Sequence, residues 1–169
     1  MSLFSEDKFN RQLSSKKGYL FQHSWELKAP VETLWGVVSE PENWSSIFYG
    51  LSIQQDSEET TSLSEDSRYS VQIKGSLPYT LSFKVDILKF LKKELLLVEI
   101  GGDLKGIGKF ETYRYGDKTK INFKMNVVPV KYWMRLVAPI ARKFFVKNHN
   151  LIVDKSYHSL SNRVAMELS

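Results

Sequence analysis

The sequence predicts an α+β domain in which a curved antiparallel sheet of about six or seven strands wraps around a long C-terminal helix. Two observations indicate this class. Residues 51–129 mostly alternate between apolar and polar side chains and are interrupted by turn residues, as consecutive antiparallel strands are. After Pro139, neither proline nor glycine occurs up to Met166, which is typical of one long helix. A large apolar sheet face needs such a helix to cover it.

The composition is that of one ordinary globular domain. The chain has 169 residues, of which 42% are hydrophobic and 25% charged. It contains no cysteine, which excludes disulfides, a thiolate nucleophile and a cysteine-containing zinc site. We expect residues 1–18, which are polar and end in Ser-Ser-Lys-Lys-Gly, to form an arm or short helix outside the core. Residues 19–169 then form the domain.

The first strand and the segment after it have clear patterns. Residues 21–28 alternate strictly, with Phe21, His23, Trp25 and Leu27 on one face, as in a half-buried strand. Pro30 then favours the start of a short amphipathic helix that ends before Pro41. Residues 42–48 repeat the helical spacing of apolar side chains. Two short helices are therefore predicted after the first strand.

Turn residues divide the rest of the chain into strands. Residues 75–78 contain glycine and proline, residues 101–103 read Gly-Gly-Asp, and residues 116–117 read Gly-Asp, which is a hairpin signal. The alternating segments between these turns should pair with their neighbours in the chain as adjacent antiparallel strands.

The charge distribution leaves two interpretations open. The formal net charge is +5, and residues 131–147 contain five bases and no acid, whereas residues 56–66 contain five acids and no base. The basic zone is either a solvated helix face or a contact with a membrane surface or an anionic ligand. Nucleic acid is not an expected partner, and the oligomeric state stays open.

No targeting pattern stands out. The N-terminal residues lack the apolar run of a signal peptide, and no stretch of about 18 apolar residues could cross a membrane. We therefore expect a cytoplasmic protein.

Several short motifs, in this order, carry a family resemblance over residues 20–165. They are Ala29-Pro30-Val31-Glu32-Thr33-Leu34-Trp35, Pro41-Glu42-Asn43-Trp44, residues 104–110, residues 133–142 and Asn148-His149. The chain resembles the START-like (SRPBCC, helix-grip) superfamily, especially its polyketide cyclase/dehydrase-like branch. This resemblance implies the helix-grip fold and an apolar cavity between helix and sheet. Relatives use that cavity to carry lipids, quinones or polyketides, or to promote aldol cyclisation and dehydration. Ser156 and Ser159 depart from the glycines frequent in this branch.

The long helix contains the candidate catalytic residues. At 100° per residue one face carries Arg142, Phe145, His149, Ile152, Val153, Ser156 and Leu160. His149 could then act as general acid or base, and Arg142 could hold an oxyanion. A competing register buries Val137, Ala141, Phe144, Asn148 and Ile152 and leaves Arg142 in solvent. His149 could equally be a core histidine with a satisfied hydrogen bond.

The candidate ligand-binding residues are mostly aromatic, because a cavity for an apolar molecule is lined by such side chains. They are Trp35, Trp44, Phe48, Tyr79, Phe83, Tyr113, Phe145, Ile152, Ser156 and His23. The same aromatics could instead form the core, and His23 could lie near the surface. His158 falls on the helix face opposite His149, and no spacing matches a metal site. We expect neither a metal nor a cofactor.

Three functions remain open at this point. The first is non-catalytic binding of a hydrophobic small molecule such as a lipid, a quinone or a polyketide. The second is a polyketide cyclase or dehydratase that uses His149 as acid or base. The third is an interaction protein that uses its basic helix on RNA, the ribosome or a membrane, as START-like relatives associated with ribosomes suggest.

Overall fold

A computed structural model describes residues 6–56, 63–74 and 79–169, and for residues 55 and 137–141 the main chain alone. The elements follow in the order α1 (Glu6–Leu13), β1 (Tyr19–Leu27), α2 (Val31–Val38), a 3-10 turn (Pro41–Asn43), α3 (Trp44–Ile47), β2 (Leu51–Gln55), β3 (Arg68–Ile73), β4 (Leu81–Leu91), β5 (Leu95–Gly102), β6 (Leu104–Tyr115), β7 (Lys118–Pro129) and α4 (Tyr132–Glu167). The predicted turn at residues 75–78 and most of the acidic segment, residues 57–62, lie outside the described residues.

The seven described strands form one antiparallel sheet in the order β1-β7-β6-β5-β4-β3-β2. Strands β2 to β7 pair with their neighbours in the chain, whereas β1 pairs with β7. The helices α2 and α3 carry the chain from the edge strand β1 to the opposite edge strand β2. The α+β helix-grip class, the number of strands and the two short helices after the first strand are therefore confirmed.

Helix α4 crosses the concave face of the curved sheet and buries the main core. Its C-terminal half contributes Leu160 and Val164, which pack with Trp35 of α2, Tyr69 of β3 and Ile121 of β7. Burial of these large apolar side chains is the main favourable contribution to folding. The position of α4 is therefore determined by its packing in the main core.

The predicted start of the long helix was wrong. The sequence placed it at Pro139, but α4 begins at Tyr132 and includes that proline. Proline has no N–H to donate to the carbonyl four residues earlier, so a helix usually starts at a proline instead of running through it. Here Met134 is buried against Tyr19 and Val127, and this tertiary contact holds the first turn of α4 to the sheet.

Helix α1 covers the opposite, convex face of the sheet. Its Phe9 and Leu13 are buried against Leu97 and Ile107 in a small cluster separate from the main core. The side-chain amide of Asn126 donates to the carbonyls of Gln12 and Ser15, at 3.1 and 2.7 Å. Carbonyls at a helix C-terminus lack intrahelical partners, so this amide closes the end of α1.

Gly106 of β6 allows a close approach between neighbouring strands. It lies in register between Ile100 of β5 and Val127 of β7. A Cβ at this position would overlap the main-chain oxygen of Asn126 and lie 2.8 Å from the Cα of Val127. Because main-chain atoms cannot move aside as a flexible side chain can, the sheet requires glycine here.

We predict that Gly106→Ala lowers the free energy of unfolding by about 2 to 3 kcal/mol, because the added methyl must push β7 away. The matched control is Gly101→Ala on β5, where nothing lies within 4 Å of the added methyl. Its effect should stay below about 1 kcal/mol. Urea denaturation of both variants provides the measurement, and equal losses would contradict the close strand contact.

Candidate functional site

The concave side of β1 carries a row of rings. Strand alternation places Tyr19, Phe21, His23 and Trp25 on the face that meets α4. The centroids of Tyr19 and Phe21 are 6.4 Å apart, and those of His23 and Trp25 are 5.4 Å apart. Both pairs are stacked, so β1 presents an aromatic wall to the helix.

Helix α4 adds its own rings to this wall. The His149 ring stacks on Phe21 with 3.6 Å between the centroids. Two turns later, Tyr157 stacks on Trp25 at 5.4 Å and donates its hydroxyl to the carbonyl of Glu26 at 2.8 Å. These contacts fix which face of α4 points toward the sheet.

Two histidines therefore meet in the interior. We define the histidine cluster as Phe21, His23, Trp25, Phe123 and His149. The rings of His23 and His149 are 5.6 Å apart, and Phe123, the register partner of His23 on β7, lies within 6.4 Å of both. Both imidazoles are half-buried among aromatic rings.

Each imidazole has a buried nitrogen without a partner. Within the described part of the chain, neither Nε2 of His23 nor Nε2 of His149 makes a hydrogen bond. A buried polar atom left unsatisfied costs on the order of 1 to 3 kcal/mol. Because native proteins pair most such atoms, these two nitrogens are an exception that requires an explanation.

The surroundings keep both imidazoles neutral. Burial, with a smaller contribution from His23, lowers the pKa of His149 to about 3. Burial also lowers the pKa of His23, and the nearby Asp154 carboxylate partly opposes this shift. At neutral pH the cluster therefore offers uncharged hydrogen-bonding nitrogens.

The side chains beside the cluster are apolar. Concave-face side chains that are only half-buried include Phe83, Val85, Val98, Phe110, Phe123 and Met125. In the row of Phe21 and Met125, the next residue across the sheet is Gly108, which has no side chain. A Cβ at Gly108 would lie 3.0 Å from Cγ2 of Val98, so the Val98 side chain packs beside this glycine.

The structure brings some predicted site residues together. His23 and His149 meet, and Phe145 borders them by packing on Tyr19 at 5.1 Å. Ile152 and Ser156 follow on the same face of α4, where Ile152 is half-buried and Ser156 buried. The Ser156 hydroxyl accepts from the N–H of Tyr49 at 3.0 Å and donates to the carbonyl of Ile152 at 2.7 Å, so it ties α4 to the loop after α3.

Other predicted pocket residues lie in the core. Trp35 is fully buried, and its Nε1 donates to the Thr112 hydroxyl at 2.8 Å. Trp44 donates to the carbonyl of Val38 at 2.8 Å, and the Phe48 ring packs on the Trp44 ring. Because both indole N–H groups are satisfied within the protein, these tryptophans position α2 and the turn after it.

The remaining predicted residues do not belong to the histidine cluster. Tyr79 packs edge-on against Trp133 at 5.1 Å, and both Tyr79 and Phe83 border the buried Leu81. Tyr113 is 49% exposed, because it alternates with the buried Thr112 on β6, and it borders a surface cleft of about 600 Å³.

The side of α4 that faces the sheet agrees only in part with each of the two predicted registers. Arg142 is exposed, with its guanidinium 5.3 Å from the centroid of the Tyr19 ring. His149 and Asn148 both lie inside, whereas Phe144 is exposed. The side chains of Val137 and Ala141, which belonged to the competing register, lie outside the described residues. Neither predicted register therefore applies as a whole.

Sequence reasoning missed four residues as members of the site. Phe21 and Trp25 share a strand face with His23, so the alternation in residues 21–28 could have indicated them. Phe123 lies at the site because the register between β1 and β7 pairs it with His23, and Tyr157 because the rotation of α4 turns it toward Trp25. These last two facts are not readable from local patterns.

The described residues contain neither a cluster of metal ligands nor a helix that could span a membrane. In residues 6–56, 63–74 and 79–169, no group of three or more histidine, cysteine or acidic side chains could hold a metal. Over the same ranges, every helix is too short or too polar to pass through a bilayer.

Comparison with solved structures confirms the fold. TTHA0849 from Thermus thermophilus superposes with a TM-score of 0.75 and 13% identity, covering 89% of this chain and 100% of that protein. The Zhui aromatase/cyclase from a Streptomyces species superposes with a TM-score of 0.70 and 9% identity, covering 89% and 96%. A conserved protein from Geobacillus kaustophilus has a TM-score of 0.68 and 15% identity, covering 88% and 96%.

The sequence comparisons add no further relative to these structural matches. No protein-family model matches the chain, and no curated protein matches it. Identities this low establish a shared fold and leave the reaction or ligand open. The predicted helix-grip architecture is thus confirmed.

We predict a loss of stability in mild acid that depends on His149. Its pKa is about 3 when folded and near 6.5 when unfolded, so the unfolded chain binds the extra proton as pH falls below 6.5. Between pH 7 and pH 5 this difference removes about 2 kcal/mol of folding free energy. The variant His149→Phe, which keeps a ring against Phe21, should lack this part of the loss.

Urea denaturation at both pH values tests this prediction. The control His158→Phe replaces an exposed histidine on the same helix and should behave like the wild type. Wild type and His149→Phe share all other titrating groups, so the difference between their losses isolates His149. An identical loss in His149→Phe and wild type would show that His149 is not buried in its neutral form.

Proposed function

We propose that the protein binds a hydrophobic small molecule between α4 and the concave face of the sheet, with a polar group of that molecule hydrogen-bonded to the histidine cluster. The observation that carries this proposal is the pair of buried, unpartnered Nε2 atoms in an otherwise aromatic environment. A ligand that supplies a hydrogen-bond partner would remove the cost of leaving them unsatisfied.

The apolar surroundings support the hydrophobic part of the proposal. Half-buried Phe123 lies near both imidazoles, and half-buried Met125 and Phe145 pack against the apolar cluster that contains Phe21. Apolar surface that leaves water on binding contributes about 25 cal/mol per Å² before ordering costs are subtracted. A mostly apolar cavity with a few fixed polar groups is the usual form of a small-molecule site.

The state of the histidines narrows the class of ligand. A neutral imidazole donates or accepts a hydrogen bond but does not neutralise an anion. Arg142, the base expected to hold a carboxylate or oxyanion, is exposed beside Tyr19. We therefore propose a ligand with a carbonyl or hydroxyl group, which includes quinones, neutral lipids and polyketide-like molecules, rather than a fatty-acid anion.

Catalysis of cyclisation or dehydration is the second candidate function. Its support is the likeness in fold to the Zhui aromatase/cyclase. General acid–base catalysis works best when the pKa of the catalytic group is near the working pH. With a pKa of about 3, His149 is a weak base, and only about one molecule in ten thousand carries the proton at pH 7. Binding without acid–base chemistry by His149 therefore agrees better with this site.

The binding proposal is tested with decylubiquinone, a quinone with two ring carbonyls and an apolar tail, as the probe. We expect it to bind wild type, and His149→Phe to bind it about tenfold more weakly, which corresponds to the loss of about 1.4 kcal/mol. Without ligand, the free energy of unfolding of His149→Phe should exceed that of wild type by about 1 kcal/mol, because the substitution removes one unsatisfied nitrogen. Quenching of tryptophan fluorescence and thermal unfolding give these two quantities.

His158→Phe provides the matched control and should leave both quantities unchanged. Unchanged quinone affinity in His149→Phe together with lower stability would make His149 a structural residue and overturn its role in binding. A purified protein that carries no apolar molecule in native mass spectrometry and binds neither decylubiquinone nor the anthraquinone emodin would overturn the binding function itself.

A further inference from the structure

The N-terminal part of α4 exposes large apolar side chains to solvent. Tyr132 is 74% exposed, Trp133 46%, Leu136 62% and Phe144 67%, and Leu151 is exposed as well. At 100° per residue these five side chains fall within an arc of about 120°, over a length of about 28 Å. We call this set of five residues the exposed stripe.

Two valines before the helix are also exposed but do not belong to the exposed stripe. Val128 alternates with the buried Val127 and therefore faces the convex side of the sheet, and Val130 follows the end of β7. Isolated exposed apolar residues are common on soluble proteins, but a contiguous group of this kind usually marks an interaction surface. The exposed stripe forms such a group.

Basic side chains accompany the exposed stripe. Lys143 and Lys147 fall within the same arc of the helix, Arg135 lies beside it, and all three are exposed. Among the described residues, none of these three takes part in an ion pair, whereas Lys131 is engaged by Asp103 at 3.0 Å. The helix has no acidic residue before Asp154.

The exposed stripe is attached firmly to the domain. Met134 is buried in the core beneath it, and Trp133 packs edge-on against Tyr79 at 5.1 Å. The first turns of α4 therefore present their outer face as a fixed surface. Binding there requires no unfolding of the helix.

We propose that the exposed stripe docks the protein on the surface of an anionic lipid bilayer. Tryptophan and tyrosine prefer the boundary between headgroups and acyl chains, and leucine and phenylalanine fit the acyl chains themselves. Lysine and arginine beside such a face attract the negative charge of phosphatidylserine or phosphatidylglycerol, while their stems lie along apolar surface. A helix lying in the bilayer surface needs both features on one side.

Other occupants match this surface less well. A second copy of the chain would bring two basic, acid-free faces together, which like charges oppose. RNA would use the bases and the aromatic rings but would leave Leu136 and Leu151 exposed. The inference goes beyond the proposed ligand binding and does not depend on it, because docking can be measured whether or not the interior holds a ligand.

Sedimentation with lipid vesicles is the test. We expect the wild-type protein to bind vesicles of phosphatidylcholine with about one third phosphatidylserine, and to bind pure phosphatidylcholine vesicles at least about tenfold more weakly. The double variants Leu136→Ser/Phe144→Ser and Lys143→Glu/Lys147→Glu should each reduce binding to the anionic vesicles by about tenfold or more. Binding should also fall as the salt concentration rises.

Two controls match these variants. Tyr115→Ser removes an exposed aromatic ring at the end of β6, and Lys105→Glu/Lys120→Glu reverses two exposed charges on the sheet. Both should bind anionic vesicles as wild type does. Because all the substituted side chains are exposed, every variant should fold. Circular dichroism and thermal unfolding check that it does.

Tryptophan fluorescence gives a second measurement on the unmodified protein. Of the four tryptophans, Trp35 and Trp44 are buried and Trp25 is half-buried inside the domain, whereas Trp133 lies in the exposed stripe. Lipids with brominated acyl chains should therefore quench wild type, and Trp133→Phe should lose most of this quenching.

Several outcomes would overturn docking on a bilayer. They are no binding to anionic vesicles, equal binding to neutral vesicles, or retained binding in both α4 double variants. Two further results would overturn membrane docking if they were found without vesicle binding. One is a dimer that dissociates in the Leu136→Ser/Phe144→Ser variant, and the other is salt-sensitive binding to RNA. Because decylubiquinone binding in detergent-free buffer is measured separately, failure of docking is distinguishable from failure of the proposed function.

Discussion

Packing of α4 across the concave face of the sheet is the constraint on which the rest of the structure depends. The close stacking of His149 on Phe21 and the bond from Tyr157 to the carbonyl of Glu26 hold the helix against the edge strand β1. The contact of Ser156 with the N–H of Tyr49 holds it near the opposite edge, because Tyr49 lies two residues before β2. With both sides attached, the rotation of the helix is determined, and so are the environments of all its side chains.

One helix consequently has three different environments along its length. Its C-terminal part buries Leu160 and Val164 and stabilises the core. Its middle brings an imidazole into an aromatic interior, where desolvation lowers the pKa of His149 to about 3. Its first turns expose apolar and basic side chains to solvent. A 36-residue helix is longer than the core needs, and the extra length creates the exposed face.

The histidine cluster departs from the rules of an ordinary core. Replacing His149 by an apolar ring would remove a buried nitrogen that has no hydrogen-bond partner in the described residues. Departures from those rules that persist in an otherwise well-packed domain are characteristic of functional sites. The unpartnered nitrogens of His23 and His149 lie close together, among aromatic side chains.

Local patterns in the sequence determined the elements and their order. Alternation placed Phe21 and His23 on one strand face, and the turn residues marked the hairpins, because side-chain periodicity follows directly from backbone geometry. Tertiary structure alone decided that α4 continues through Pro139, that Phe123 faces His23, and that Arg142 is outside while His149 is inside. Strand register, helix rotation and desolvation arise from contacts between residues far apart in the chain, which no local pattern contains.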